Sequence, residues 1–499
     1  MKTSSGKFTC FFFLLISVIY STGSIFYLFP HGVKGEWCWD YVPFALSVNL
    51  LFPLVSGGLV LLLFHFVSKK KISVRLFLVA SVILSFLFVL SFCYLYPSRL
   101  THFVATNFEE HTTGHLVASL KFPDVRSIFS ENYTAMMPHL PTHSHTHLPG
   151  PVLCYKLTTV FFYNHPSFSS LYSKIISAMG FDGNALRKFV LADEFIVNTA
   201  FSMGISVLFF LSLSVIPVFL LARELFDEET ALYALPLWIF VPAVVSFFPQ
   251  IDLMYPPIST AAVLFLVKYL NTQKGLYMML CSVTLALGIF FSFAFTTLIL
   301  LCAMIFVLHV LQKRLLREFI FLAKSSVLFL APFFVFYLCL YIFGRISVID
   351  AFNVAMKINS TVESHLSRLR WALFYTWYDY FSFAGLASSM LFLHSLYSAA
   401  KDSFGGKTRP YAYVLFSYSI VFSCLVFSGI VIAEVSRIWI FLMPFLVIFA
   451  ANGMKLLSDK KHGTALLLLS SAFLQAVVFK MTYNVMFELR AGFDSLKGF

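Results

Sequence analysis

The sequence predicts an all-α polytopic membrane protein with about thirteen spans, and three observations predict it. Hydrophobic residues fill 59% of 499 positions against 12% charged, and mean hydropathy is +0.85. That balance excludes a soluble globular enzyme and a disordered chain alike. The apolar residues fall in runs of roughly 20, the length a helix needs to cross the hydrocarbon of a bilayer. Between the runs, Lys and Arg recur at alternate turns, the mark of cytoplasmic loops.

Taken in order, the runs are 8–29, 43–67, 73–96, 196–222, 230–248, 254–270, 276–291, 294–312, 320–344, 372–398, 411–433, 437–453 and 463–482. The first is too long for a signal peptide and lacks a small-residue cleavage pattern, so it reads as an uncleaved helix. With Lys2 and Lys7 inside, alternation places the basic turns 69–71, 223–229, 268–274, 312–317, 401–409 and 455–462 on the cytoplasmic face. The other face receives 30–42, 97–195, 249–252, 345–370 and 434–437. No soluble module interrupts the chain, which reads as a single integral-membrane domain, 1–499, with 97–195 as a long outer loop between spans. Within that loop, amphipathic stretches near 103–120, 155–163 and 168–179 predict interfacial helices. The segment 348–369 does the same, with Val348, Phe352, Ala355 and Met356 on one face.

The net charge of +12 arises from 35 basic against 23 acidic residues and sits largely in the cytoplasmic turns. Nucleic-acid binding is excluded, because no soluble basic face interleaved with aromatics exists to carry it. The 62 phenylalanines and 23 tyrosines are spread over nearly every run, as helix packing and interfacial belts require.

The polar residues able to do chemistry collect on the outer face. In the first outer loop, Glu36 and Asp40 flank Trp37 and Trp39. A carboxylate at the membrane rim can deprotonate an acceptor hydroxyl, while the tryptophans alone would make the same segment an interfacial anchor. Glu110, His111 and His115 are spaced to share a helix face, which solvation alone would also explain. The stretch 138–151 holds His139, His143, His145 and His147 among four prolines. The last three histidines alternate, so an extended chain would turn them to one side. Such a row suits a divalent metal such as zinc or copper, and equally a phosphate or sugar hydroxyl. No cofactor is assigned on spacing alone. Asp252 follows Pro249 and Gln250 at a helix turn, where a carboxylate near membrane depth is expected to face a cavity. Glu434 and Arg437 stand three residues apart and can pair, and a guanidinium offers forked donors to a phosphate. Asn132 and Asn359 open glycosylation sequons on the outer face.

Three ordered segments carry a family resemblance: Leu140 to Pro151 (LPTHSHTHLPGP), Trp377-Tyr378-Asp379-Tyr380 followed by Gly385, and Glu434-Val435-Ser436-Arg437-Ile438-Trp439 with Pro444. They resemble the polytopic GT-C type glycosyltransferases, notably the protein mannosyltransferase and lipid A arabinosyltransferase families. Leu148 stands where that pattern has a proline, and Ala433 where it has a glycine. The resemblance implies a GT-C-like fold, a sugar donor carried on polyprenyl phosphate, and a lipid, glycan or protein acceptor on the non-cytoplasmic face. It also implies inversion by direct displacement between the two outer loops. On that reading Asp40 or Glu36 is the base, and Arg437 with His143 or His147 holds the donor phosphate. Glu110, His111, His145, Asp252, Asp379 and Glu434 are further pocket candidates. A transporter or flippase of a polar or lipid-linked substrate is the competing class. It requires inverted repeats and charges at mid-membrane, whereas the polar clusters here crowd one face.

Overall fold

The computed structural model describes the chain apart from residues 1, 34–36, 96–99, 109–113, 130–131, 142, 191, 314–318, 363–367, 408, 432–433, 459–461 and 485–499. Among the described residues, ten helices are long and apolar enough to cross a membrane, from Phe8–Ile25 to His462–Thr482. A bent pair, Arg368–Phe383 and Leu386–Phe404, whose halves meet at 108°, makes eleven when counted as one span. Gly275–Phe291 and Ala412–Ser428 are apolar but only 17 residues each, about 26 Å of helix. Each predicted run is therefore helical where it is described, and ten or eleven of the thirteen have the length and apolarity of a full crossing among the described residues. The straight helix expected over 372–398 is the clearest departure. Gly385 stands at φ 94°, a conformation that suits glycine, and the chain turns there.

Long-range contacts sort the turns into two ends of the molecule. At one, Ser68 meets His462 at 3.0 Å, Asn271 donates to Glu224 at 2.8 Å, and Lys455 pairs with Asp227. These are the basic turns assigned to the cytoplasmic face. At the other, Asp40 and Tyr41 pair as a strand with Tyr483 and Asn484, and segments 143, 252, 379 and 434–437 converge. The alternation read from charge thus matches the packing.

The core lies around Glu228–Ser246 and Ile440–Ser458, each 89% buried over its apolar window, while Phe319–Gly344 is 6% buried and faces outward. The long segment 97–195 belongs to this packing more than the interfacial reading implied. Its helix Gly150–Asn164 lies against Glu194–Leu213, and Gly150 abuts the backbone of Phe290 so closely that a Cβ would come 2.5 Å from the carbonyl oxygen. The amphipathic helix Val348–Val362 forms as expected and packs on the turn Ser144–Thr146.

Gly453 lets two helices meet closely. A Cβ there would lie 2.0 Å from the carbonyl oxygen of Leu391, a backbone atom that cannot rotate away. Gly453→Ala should therefore lower the thermal midpoint of the detergent-solubilised protein, by overpacking worth about 1–3 kcal/mol. Gly58, with nothing within 4 Å of its Cβ position, is the contrast. Gly58→Ala should leave the midpoint unchanged or raise it, since alanine favours helix by roughly 1 kcal/mol.

Candidate active site

The turn 434–437 organises the site. Glu434 adopts a left-handed backbone, φ 54°, and its carbonyl accepts from the amides of Arg437 and Ile438, both at 3.0 Å. This short turn brings the Arg437 guanidinium back over the Glu434 side chain, Nη2 to Oε2 2.5 Å. Arg437 Nε stands 3.8 Å from Asp252 Oδ2, and Nη2 donates to His143 Nδ1 at 3.2 Å. Three segments far apart in sequence therefore meet on one buried guanidinium. The expected Glu434–Arg437 pair is present.

The partners decide the state of each histidine. A guanidinium only donates, so His143 Nδ1 accepts and the neutral ring carries its hydrogen on Nε2. His147 Nδ1 lies 2.6 Å from the His143 carbonyl oxygen, which only accepts, so there the hydrogen is on Nδ1. The two rings thus offer opposite faculties, a donor at His143 Nε2 and an acceptor at His147 Nε2. Burial, with the charge of Arg437 adding to it, pushes His147 down to about 4 despite its carbonyl bond. His115 is driven well below the ordinary range by burial, His147 and Arg437. Its Nδ1 is 2.9 Å from Ser144 Oγ, and its ring meets that of His147 edge to face at 5.3 Å. Both rings are neutral at pH 7. Burial raises the Glu434 carboxyl, and Arg437 opposes that rise.

Behind the turn lies Asp379, in the helix Thr376–Phe383, 2% exposed. Its Oδ2 accepts the amide of Ser436 at 3.1 Å and its Oδ1 the indole Nε1–H of Trp39 at 3.0 Å. His31 Nδ1 approaches the same Oδ1 to 3.9 Å, while its Nε2 bonds Tyr20 Oη at 2.9 Å and its ring stacks on Tyr378 at 4.7 Å. Burial pushes His31 down to about 3.

The structure brings together Arg437, Glu434, Asp252, His143 and His147, with Asp379 one residue behind. It does not bring Asp40 to them. Asp40 is exposed, in a two-residue strand paired with Asn484, and the neighbour that reaches inward is Trp39. His145 is about half-buried, and burial with His147 lowers its pKa. Glu36, Glu110 and His111 lie outside the described residues. The extended row of histidines expected over 143–147 does not form. Ser144 and His145 both donate to the carbonyl of Pro141, curling Ser144–Thr146 into a 3₁₀ turn that sends His143 and His147 inward. Among the described residues, no three His, Cys, Asp or Glu side chains are placed to hold a metal ion. His31 and Ser436 were not singled out from sequence: one is a lone histidine after a proline, the other acts through its backbone.

Residues 194–339, which include Asp252, match the family model of dolichyl-phosphate-mannose-protein mannosyltransferases. No curated protein matches the chain by sequence. Among solved structures, the Archaeoglobus fulgidus oligosaccharyltransferase, crystallised in complex with Zn and sulfate, is similar at 13% identity and a TM-score of 0.40. The likeness covers 60% of this chain and 44% of that one, so less than half the length of that protein is spanned. The family match bears out the resemblance to polytopic GT-C type glycosyltransferases and supports a membrane glycosyltransferase. With at least ten helices among the described residues long and apolar enough to cross a bilayer, the chain is an integral multi-pass membrane protein.

The neutral histidines give stability a sign with pH. His31 and His147 have folded values near 3 and 4, below the ordinary value near 6.5, so the unfolded chain binds protons that the folded one refuses. Their contribution is full above pH 6.5 and is lost as pH falls through that value towards the folded ones, about 2 kcal/mol for each by pH 5. The thermal midpoint should fall between pH 7 and pH 5, and His147→Gln should reduce the slope. A midpoint flat over that range would contradict the neutral burial of these rings.

Proposed function

We propose that this protein is a glycosyltransferase that takes a sugar from a polyprenyl-phosphate donor and passes it, with inversion, to a lipid, glycan or protein acceptor on the non-cytoplasmic face. The observation that carries the reading is the Arg437 constellation, where a buried guanidinium meets Nδ1 of His143 and two carboxylates. The family match over 194–339 and the three motif segments support the same class. The donor's phosphate leaves as an anion. Arg437, held by Glu434, Asp252 and His143, is a donor that stabilises the charge developing on it, without reorganisation at the moment of reaction.

Asp252 takes the role of base. Glu434 is engaged by Arg437 at 2.5 Å, whereas Asp252 stands off at 3.8 Å and can accept a proton from the acceptor hydroxyl. As that oxygen attacks the anomeric carbon, the bond from that carbon to the phosphate oxygen breaks, and the phosphate keeps the electron pair. Asp40, at the rim, would be left to contact the acceptor or solvent.

Sugar transfer from polyprenyl-phosphate-linked donors by the purified protein tests this. Asp252→Asn should lower kcat by about 10²–10⁴, and Arg437→Ala should cost at least about 10². Asp40→Asn should stay within a few-fold of the parent. Absence of transfer from every such donor would sink the class. Full activity in Asp252→Asn with loss in Asp40→Asn would return the base to the first outer loop.

A further inference from the structure

Tyr255 opens the helix Tyr255–Thr272, three residues past Asp252 in a continuous helical turn, so the two side chains share a face. It is 1% exposed, and its hydroxyl is buried with no hydrogen-bond partner among the described residues. The Ser292 hydroxyl comes near without meeting it in bonding geometry, and accepts from the Ala294 amide at 3.3 Å. The Tyr255 ring is fixed. It meets Phe295 edge to face at 5.4 Å, and Phe295 stacks on Phe441 at 5.2 Å. One turn on, Ser259 Oγ donates to the Phe441 carbonyl at 2.7 Å, which ties this helix to the turn that follows Arg437. A phenylalanine would pack here as well. The hydroxyl adds nothing to the packing, and burying it unbonded costs stability.

We propose that Tyr255 Oη hydrogen-bonds a hydroxyl of the sugar being transferred and so selects among sugars. The inference rests on the sugar-transfer reading. On that reading Arg437 takes the phosphate and Asp252 the acceptor, and the sugar that changes hands lies beside both. The phenol feels the charges of Asp252 and of Arg437, so it flanks the same space. Asp252 and Glu434 each leave 19% of their side chains exposed, which opens the site on their side, with the phenol behind them. Pro256 and Pro257 follow Tyr255 and carry no N–H, which leaves the phenol as the donor beside them. A phenol donates and accepts at one atom, as a sugar hydroxyl does, so the pair matches with no charge on either side. Such a contact discriminates, because a sugar lacking the hydroxyl leaves the phenol unpaired.

The test measures thermal shift of the full-length protein with short-chain polyprenyl phosphates carrying mannose, glucose or arabinose, and with the bare lipid phosphate. The parent should bind one of the sugar-bearing lipids more tightly than the bare phosphate. Tyr255→Phe should bind that lipid at least about fivefold more weakly, the worth of one neutral hydrogen bond, and the bare phosphate as the parent does. Without ligand its midpoint should equal or exceed the parent's. Deoxy analogues then find the hydroxyl: the one whose removal weakens the parent should cost Tyr255→Phe nothing. An unchanged sugar preference in Tyr255→Phe would overturn the inference and leave the transfer reading standing. So would a lower midpoint in both Tyr255→Phe and Ser292→Ala, since the hydroxyl would then be bonded to Ser292. A parent that binds none of these lipids would overturn both.

Discussion

The Asp379 carboxylate holds the candidate site together. One oxygen accepts the indole N–H of Trp39 from the first outer loop, the other the backbone N–H of Ser436 from the turn that carries Arg437. Both partners are donors, so the residue between them must offer two acceptors. Asparagine would offer one and press an amide N–H against the other donor. A buried, unbonded carboxylate would be costly, and two hydrogen bonds to the charged form offset that cost. Once Ser436 is fixed, Glu434 keeps its left-handed backbone and Arg437 its direction. The arrangement of His143 and Asp252 about Arg437 follows from that.

The helix carrying Asp379 breaks for the same reason that the site exists. A straight membrane helix satisfies its own backbone and leaves no polar group to spare, whereas a broken one exposes amides that must find partners within the protein. Here Gly385 turns the chain and donates back to the Ser382 carbonyl at 3.1 Å. The first amide of the following helix, Leu386, donates to Gln475 Oε1 at 2.7 Å. Ahead of Asp379, residues Trp371–Tyr375 form a π-helical turn, a form often found near functional sites. The bent pair thus delivers a carboxylate to the end of the bundle where the outer loops meet.

Much of the architecture was legible in the sequence because it is written locally. Each apolar run became a helix, since its length and composition admit little else in a bilayer. The basic turns sorted to one end because charge asymmetry is a property of neighbouring residues. Glu434 and Arg437 paired because three residues of helix-like turn bring them together. The bend at Gly385 was missed, because a glycine in an apolar run carries the same hydropathy whether the helix continues or breaks.

The site was legible only in part. Trp39 and Asp379 are 340 residues apart, and no spacing announces their contact. Sequence does not say which of the neighbours Trp39 and Asp40 turns inward, and the aromatic went in while the carboxylate stayed exposed at the start of the strand Asp40–Tyr41. The histidines were expected as an extended row, but the Pro141 carbonyl gathered two amides and curled the chain. That turn gave His143 and His147 complementary hydrogen-bonding roles that residue type alone could not assign.

The most direct measurement is a double-mutant cycle between Trp39→Phe and Asp379→Asn, read as thermal stability in a fixed lipid environment. Phenylalanine keeps an aromatic ring beside Phe247 and Phe383 but removes the indole N–H. If Asp379 clamps the two outer segments, the two substitutions should be coupled by about 0.5–3 kcal/mol, the double variant losing less than the sum. Additivity to within about 0.3 kcal/mol would mean that the carboxylate does not join them, and the account of how Arg437 is held would fail.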